Sequence, residues 1–321
     1  MANSLFDEIR ILYGSDKLIT FFRDLINKNF NEGIKYLNQR NLRFPSLFIL
    51  STEISDEIYD RLNTRNKYAL DFINQVLSEE GPDTGRILDE SAQQRYTAYK
   101  WILETGYTED GLSEEYDEVL DRAAIVLCMV YNDNSCLGIM ENLIFERHRK
   151  GAYIYDLTWA FFERLNPKNI NTLANRLKSS NPKDTELARK FLNFIPDINS
   201  REEDTRRLYS RVMKWLSQNQ NFIYYTGETN NQTNNPSRFA VSLEAKYLQK
   251  PVHVIQEQAR NINTEEASCL ENFKNLNEDT KLLLSECSDM LYHINRYKWS
   301  KWLQSPVHKQ IEIAERMVGE K

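Results

Sequence analysis

Residues 166–196 read NPKNINTLANRLKSSNPKDTELARKFLNFIP, and the tripeptide Asn-Pro-Lys occurs in them twice, at 166–168 and at 181–183. Each copy is followed by a Leu-Ala pair, Leu173-Ala174 and then Leu187-Ala188. Asparagine supplies a side-chain acceptor at a helix N-cap. Proline suits the first helical position because its φ is already helical and its missing N–H is not needed there. Asn166-Pro167 and Asn181-Pro182 are therefore two expected helix starts, with Ser179-Ser180 as a tight connection between them. A connection this short folds neighbouring helices back antiparallel. Ile170, Leu173, Ala174 and Leu177 are then expected to pack against Leu187, Ala188, Phe191, Leu192 and Ile195. Alanine at both centres lets the helix axes approach closely.

The same helical grammar runs outward from this pair. EEYDEVLDRAAIVLCMVY places acids at the positive N-terminal end of a helix and an apolar run behind them. LGIMENLIFERHRKG ends on Arg147, His148, Arg149 and Lys150 before a glycine, the expected C-terminal signals. AYIYDLTWAFFERL carries Ile154, Leu157, Phe161 and Leu165 on one stripe. Further upstream, SDKLITFFRDLINKN sets Leu18, Phe21, Phe22, Leu25 and Ile26 on one face, with Ser15 or Asp16 as the expected cap. Other helical readings fall near 31–40, 53–63, 65–79, 89–105 and 113–131. Downstream, Ser200 is the expected cap of a helix with Leu208, Val212, Trp215 and Leu216 on its stripe. A C-terminal helix carries Leu283, Cys287, Met290, Leu291 and Ile294, with Pro306 expected to kink or end it.

Helix starts with proline, a Leu-Ala core and a paired helix behind make the region 113–195 resemble a HEAT-type α-helical repeat array. That resemblance implies an all-α fold of stacked antiparallel helix pairs, with an N-terminal helical subdomain and a C-terminal capping helix. Capping is expected because one pair buries only part of its apolar face alone. The expected organisation is an N-terminal subdomain at 1–80, a repeat array at 86–218, a polar loop at 219–238 and a C-terminal helical region at 239–321. The break is EGPDTGR at 80–86, where Pro82 stands between two glycines.

Composition agrees with helices and short connections. The 321 residues include only ten Gly and eight Pro, too few turn residues for a sandwich or barrel, while 41% apolar residues are ample for a core. The net charge of −6 argues against a uniformly basic nucleic-acid binder. Cys128, Cys136, Cys269 and Cys287 form no CxxC and match no zinc spacing, so buried free thiols in a reducing compartment are expected. The first residues lack the basic start of a signal peptide, and no apolar run approaches ~18 residues. A cytoplasmic location without membrane association is the expectation.

Catalytic signatures are missing. HExxH, GxSxG, GxxxxGK[ST] and GxGxxG do not occur, and His148, His253, His293 and His308 are never four residues apart. No catalytic residue, cofactor or metal is assigned. The densest positive run is Arg147-His148-Arg149-Lys150, followed by Arg164, Lys168, Arg176, Lys178, Lys183, Arg189 and Lys190. On stacked helices such residues can form a stripe for an anionic partner, while as helix-end residues they simply complement the dipole. The loop from 219 mixes Phe222, Tyr224 and Tyr225 with asparagines, a combination suited to recognition. Arg147, Arg149, Lys150, Arg164, Lys168, Tyr224 and Tyr225 are the candidate partner-binding residues. The expected function is a non-catalytic scaffold or adaptor that binds another protein. The alternatives are a nucleic-acid-binding or base-excision-type HEAT-like protein, tested at Arg147, Arg149, Lys150 and Trp159, and a structural subunit of a larger assembly.

Overall fold

The computed structural model describes residues 3–78, 91–200, 204–229, 232–233, 235–256 and 262–318. The glycine-flanked proline at 80–86 lies outside them, as do Asn230, Asn231 and Asn234 of the polar loop. The fold is all-α, with one small hairpin among the described residues, and the chain divides into two compact units, Met1–Arg164 and Leu165–Lys321. Helix-on-helix packing of this kind is compatible with a helical-repeat architecture.

The first unit is built from α1 (Leu5–Tyr13), α2 (Ser15–Lys28), α3 (Phe30–Leu37), α4 (Phe44–Leu50), α5 (Asp56–Asp60), α6 (Thr64–Leu77), α7 (Ala92–Gly106), α8 (Glu114–Ile125), α9 (Leu137–Lys150) and α10 (Tyr155–Arg164). Gly14 rather than Ser15 or Asp16 is the N-cap of α2. Its φ of 85° turns the chain sharply out of α1, a conformation a β-carbon would disfavour. A polar knot is buried where α1 meets α4. The enclosed Asp7 carboxylate accepts from the Ser46 hydroxyl at 2.6 Å and the Arg43 N–H at 3.1 Å, while Arg10 Nε donates to Ser46 at 3.2 Å. Next to it, Phe44 stacks on Tyr116 and meets Trp101 edge-on, with centroids 5.4 Å and 5.9 Å away. Each such buried aromatic stabilises the unit by about 1.5–3 kcal/mol. Tyr116 closes this layer by donating to the Gly106 carbonyl at 2.8 Å. Gly106 has no room for a side chain: a β-carbon there would lie 2.7 Å from Leu120 Cδ2 and 2.8 Å from Tyr116 Oη.

The second unit begins with the repeated tripeptide. Asn166 and Asn181 both cap, accepting from the backbone N–H of Lys168 at 2.9 Å and of Lys183 at 3.0 Å. All nine apolar residues expected at this helix pair are buried. The first member is not one continuous helix, however. It runs as a 3-10 turn (Pro167–Asn169), α11 (Asn171–Asn175) and a second 3-10 turn (Arg176–Lys178), whereas α12 (Pro182–Phe191) is regular. The next helix, α13 (Thr205–Asn219), starts after Asp204 and not at Ser200, and no side chain caps it.

The stretch expected as a polar loop holds β1 (Ile223–Tyr225), which pairs antiparallel with β2 (Phe239–Val241), at the start of the region expected to be helical, in the register Tyr224 opposite Ala240. Beyond it lie α14 (Leu243–Tyr247), α15 (Val252–Gln256), α16 (Thr264–Lys274), α17 (Glu278–Ile294), α18 (Arg296–Leu303) and α19 (Val307–Val318). Their core centres on Tyr247, which stacks on Phe273 at 4.2 Å and donates to Gln310 at 2.9 Å. The expected long C-terminal helix breaks at Asn295, where that side chain caps α18. Pro306 precedes α19 and does not interrupt a helix.

Candidate functional site

The arrangement with most chemistry lies in the first unit, along one side of α8. Ser113 caps this helix by accepting from Tyr116 N–H at 3.1 Å, and three acids occupy its first turn. Tyr116, Val119, Leu120, Ala123 and Ala124 recur at helical spacing and are buried. The complementary stripe, Glu114, Asp117, Glu118, Asp121, Arg122 and Ile125, must then share another face. With Arg147 from α9, and Ala152, Tyr153 and Asp156 before and within α10, it lines a recess of about 480 Å³.

Five carboxylates line this recess against two guanidinium groups, and one of those guanidiniums is already committed. Arg147 is 3% exposed. Its Nε and Nη2 donate to Asp110 Oδ1 at 2.9 and 2.7 Å, and its Nη1 donates to Asp121 Oδ2 at 2.7 Å. The Asp110 side chain is itself only 3% exposed, and Lys150 Nζ approaches its Oδ2 at 3.8 Å. Asp117 accepts the Gly111 N–H at 2.7 Å. The second oxygen of Asp121 is enclosed with no hydrogen-bond partner.

Burial pushes the Asp121 carboxyl up to about 6, against the lowering effect of Arg147 and with help from the charges of Asp110 and Asp117. Asp117 is raised as well, again chiefly by burial. Burial alone would lower Arg147, but its hydrogen bonds to Asp110 and Asp121 outweigh that and hold it above its ordinary value. The recess therefore carries more negative charge than its own guanidinium groups offset. Sequence charge points the same way: residues 1–164 hold 28 acidic and 18 basic side chains, whereas residues 165–321 hold 19 and 23. Among the described residues no group of three or more His, Cys, Asp and Glu is arranged to hold a metal ion, and no helix is long and apolar enough to cross a membrane.

The residues expected to bind a partner fall in both units. Arg147 is not at the surface; it is the internal counter-ion of Asp110 and Asp121, so its charge is spent inside the unit. Arg149 is half-buried and already engaged within the protein. Lys150 is exposed and donates to the Asp110 carbonyl at 3.1 Å. Arg164 is half-buried at the end of α10, with its Nε enclosed. Lys168, Tyr224 and Tyr225 belong to the second unit. There Lys168 is exposed, and the two tyrosines are half-buried on β1, Tyr225 edge-on to Phe239 at 6.0 Å.

The acidic stripe is the feature that sequence reading assigned to the helix dipole alone. Its spacing of three, four and seven residues from Glu114 was the available signal. Arg147 carried a signal too, because it follows the buried Met140 and Ile144 at the same helical spacing.

No protein-family model, curated protein or solved structure matches this chain.

Proposed function

We propose that the protein is a non-catalytic scaffold or adaptor that binds another protein, with the recess beside α8 as the seat for a basic segment of that partner. The observation that carries the reading is the recess itself: five carboxylates face two guanidinium groups, and Arg147 is neutralised from within. A lysine or arginine side chain entering there meets uncompensated charge in a partly enclosed space, where attraction is stronger than at an open surface. The architecture proposed for the binding surface is a HEAT-like array of antiparallel helix pairs. Two capped Asn-Pro starts and their buried Leu-Ala centres support it. A cytoplasmic setting is proposed with it, on the four free thiols.

A nucleic-acid partner is the second reading. It is favoured by the basic excess of residues 165–321 and by the exposed Arg206, Arg207 and Lys214 of α13.

Affinity capture distinguishes the two. Wild type and a Glu114→Lys/Glu118→Lys variant are compared, with and without nuclease, with circular dichroism confirming that the variant is folded. A protein captured by wild type, lost from the variant and indifferent to nuclease is the expected result. Capture that disappears with nuclease transfers the function to nucleic acid, and identical capture by both proteins removes the recess from it.

A further inference from the structure

Where α17 turns into α18, six consecutive residues from His293 to Lys298 are exposed, the longest such run among the described residues. The joint is a single residue. Asn295 is extended, with φ of −161°, and it serves both helices. Its N–H donates to the Leu291 carbonyl at 2.8 Å, closing α17, and its side chain accepts from the Lys298 N–H at 3.0 Å, opening α18. The base of this corner is fixed in the core of the second unit. Trp302 is buried against Tyr247, with ring centroids 5.9 Å apart, and Trp299 Nε1 donates to the Ser288 hydroxyl at 2.8 Å. The corner is therefore a tip projecting from packed structure.

Its composition is apolar and basic together. Ile294 and Tyr297 stand three residues apart across the joint and are each 68% exposed. They form an apolar pair on one tip, which a protein surface rarely leaves in water without a use. Residues 290–311 contain no Asp or Glu, and Arg296, Lys298 and Lys301 are all exposed on α18. Asp289, the acid just before this stretch, has a side chain only 15% exposed, which meets His293 and Gln249. At the far end of α18, Glu265 accepts from Gln304 at 3.0 Å.

We propose that this corner is a membrane-surface contact, which docks on a bilayer carrying anionic lipid. Ile294 and Tyr297 enter the headgroup layer, and Arg296, Lys298 and Lys301 lie against the lipid phosphates and carboxylates. The corner belongs to the second unit, so the proposal does not rest on the recess or on the function proposed above.

Three observations favour a bilayer over other anionic partners. Ile294 is aliphatic and offers nothing for a base to stack on. Lys301 Nζ lies over the Tyr297 ring at 4.5 Å and Arg296 over the Tyr292 ring at 4.8 Å, so cations already cover the ring faces that single-stranded nucleic acid would use. A projecting tip needs a matching pocket on a protein partner, whereas a bilayer admits it anywhere. Tyrosine is at home at the level of the headgroups, and lysine and arginine are drawn to the negative potential of an anionic leaflet. No helix among the described residues is long and apolar enough to cross a membrane. The expectation of no membrane association concerned such a span, which surface contact does not need.

The test is flotation of the full chain with vesicles of phosphatidylcholine alone and of phosphatidylserine mixed into phosphatidylcholine. Wild type should float with the second and not the first, and less so as salt is added. Lys298→Gln/Lys301→Gln should bind about 30-fold more weakly. Ile294→Ser leaves the charge unchanged and should still bind about 10-fold more weakly. Arg207→Gln/Lys214→Gln, which removes the same charge from α13, should bind like wild type. Soluble glycerophosphoserine should not displace the protein from vesicles. The substituted side chains are all exposed, and circular dichroism checks that each variant keeps its helices. Failure of wild type to float with phosphatidylserine, or equal flotation with both vesicles, would overturn the proposal. So would equal weakening in the α13 variant, wild-type binding by Ile294→Ser, or displacement by the soluble headgroup. Retention on immobilised single-stranded DNA that Lys298→Gln/Lys301→Gln abolishes, with no flotation, would assign the corner to nucleic acid instead.

Discussion

Replacing Arg147 with methionine keeps most of the side-chain volume and removes the charge, so it isolates the ion network beside α8. In wild type the guanidinium gives three short hydrogen bonds to two carboxylates, at 2.7–2.9 Å, and the side chains of Arg147 and Asp110 are 4% and 3% exposed. The variant leaves Asp110 enclosed with only Lys150 Nζ at 3.8 Å to offset its charge, and leaves Asp121 facing Asp110 and Asp117. Removing one member of a buried ion pair costs about 3–5 kcal/mol, mostly because the remaining charge is stranded. At about 2–4 °C per kcal/mol for a domain of this size, the midpoint of thermal unfolding should fall by roughly 6–20 °C. Helical circular dichroism followed against urea and temperature reads both quantities. Arg147→Lys restores the charge but not the fork that spans two carboxylates, and should recover less than half of the loss. If Arg147→Met unfolds within about 0.5 kcal/mol of wild type, the size of an ordinary surface substitution, Arg147 is not what neutralises these carboxylates.

Two further perturbations follow from the same unit. The Asp121 carboxyl is raised to about 6, above the ordinary ~3.9 of an unfolded chain, so the folded state binds the extra proton. Its contribution to stability is full below about pH 4 and is lost as pH rises to about 6. Asp121→Asn removes that loss. Relative to wild type, the variant should gain stability from pH 4 to 6 and hold level above, and a difference curve that is flat or falling over this range contradicts the assignment. Gly106→Ala should cost about 1–3 kcal/mol in urea unfolding, since its β-carbon would meet Leu120 and the Tyr116 hydroxyl inside van der Waals distance. A neutral result would show that this layer gives way.

What could be read from residues alone depended on how local the cause was. The Asn-Pro starts rest on a cap and its first turn, and both caps form. Leu173, Leu187 and their neighbours are buried because periodicity within one helix is enough to place them. The broken first member of that pair was not legible, because a 3-10 turn and an α turn share residue preferences over three positions. The strands of the hairpin span three residues each, too few for an alternating pattern to register. Longer-range facts were hidden in a different way. ERHRK looks like a basic helix end, and only the fold brings Asp110 and Asp121, 37 and 26 residues earlier, to Arg147. The acids of EEYDEVLD were adequately explained by the helix dipole, so nothing local demanded the recess they line.

The central claim, that the recess seats basic groups, is tested most directly by calorimetric titration of an arginine-rich peptide into three forms of the protein. These are wild type, Glu114→Gln/Glu118→Gln in the recess, and Asp24→Asn/Glu57→Gln, which removes the same charge from α2 and α5. At about 0.2–1 kcal/mol for each exposed charge, the recess variant should bind about 2- to 30-fold more weakly than wild type. The α2/α5 variant should bind like wild type, and binding to wild type should weaken with added salt. Equal weakening in both variants would mean that the peptide senses only the overall charge of the unit, and the recess would then have no claim as a binding site.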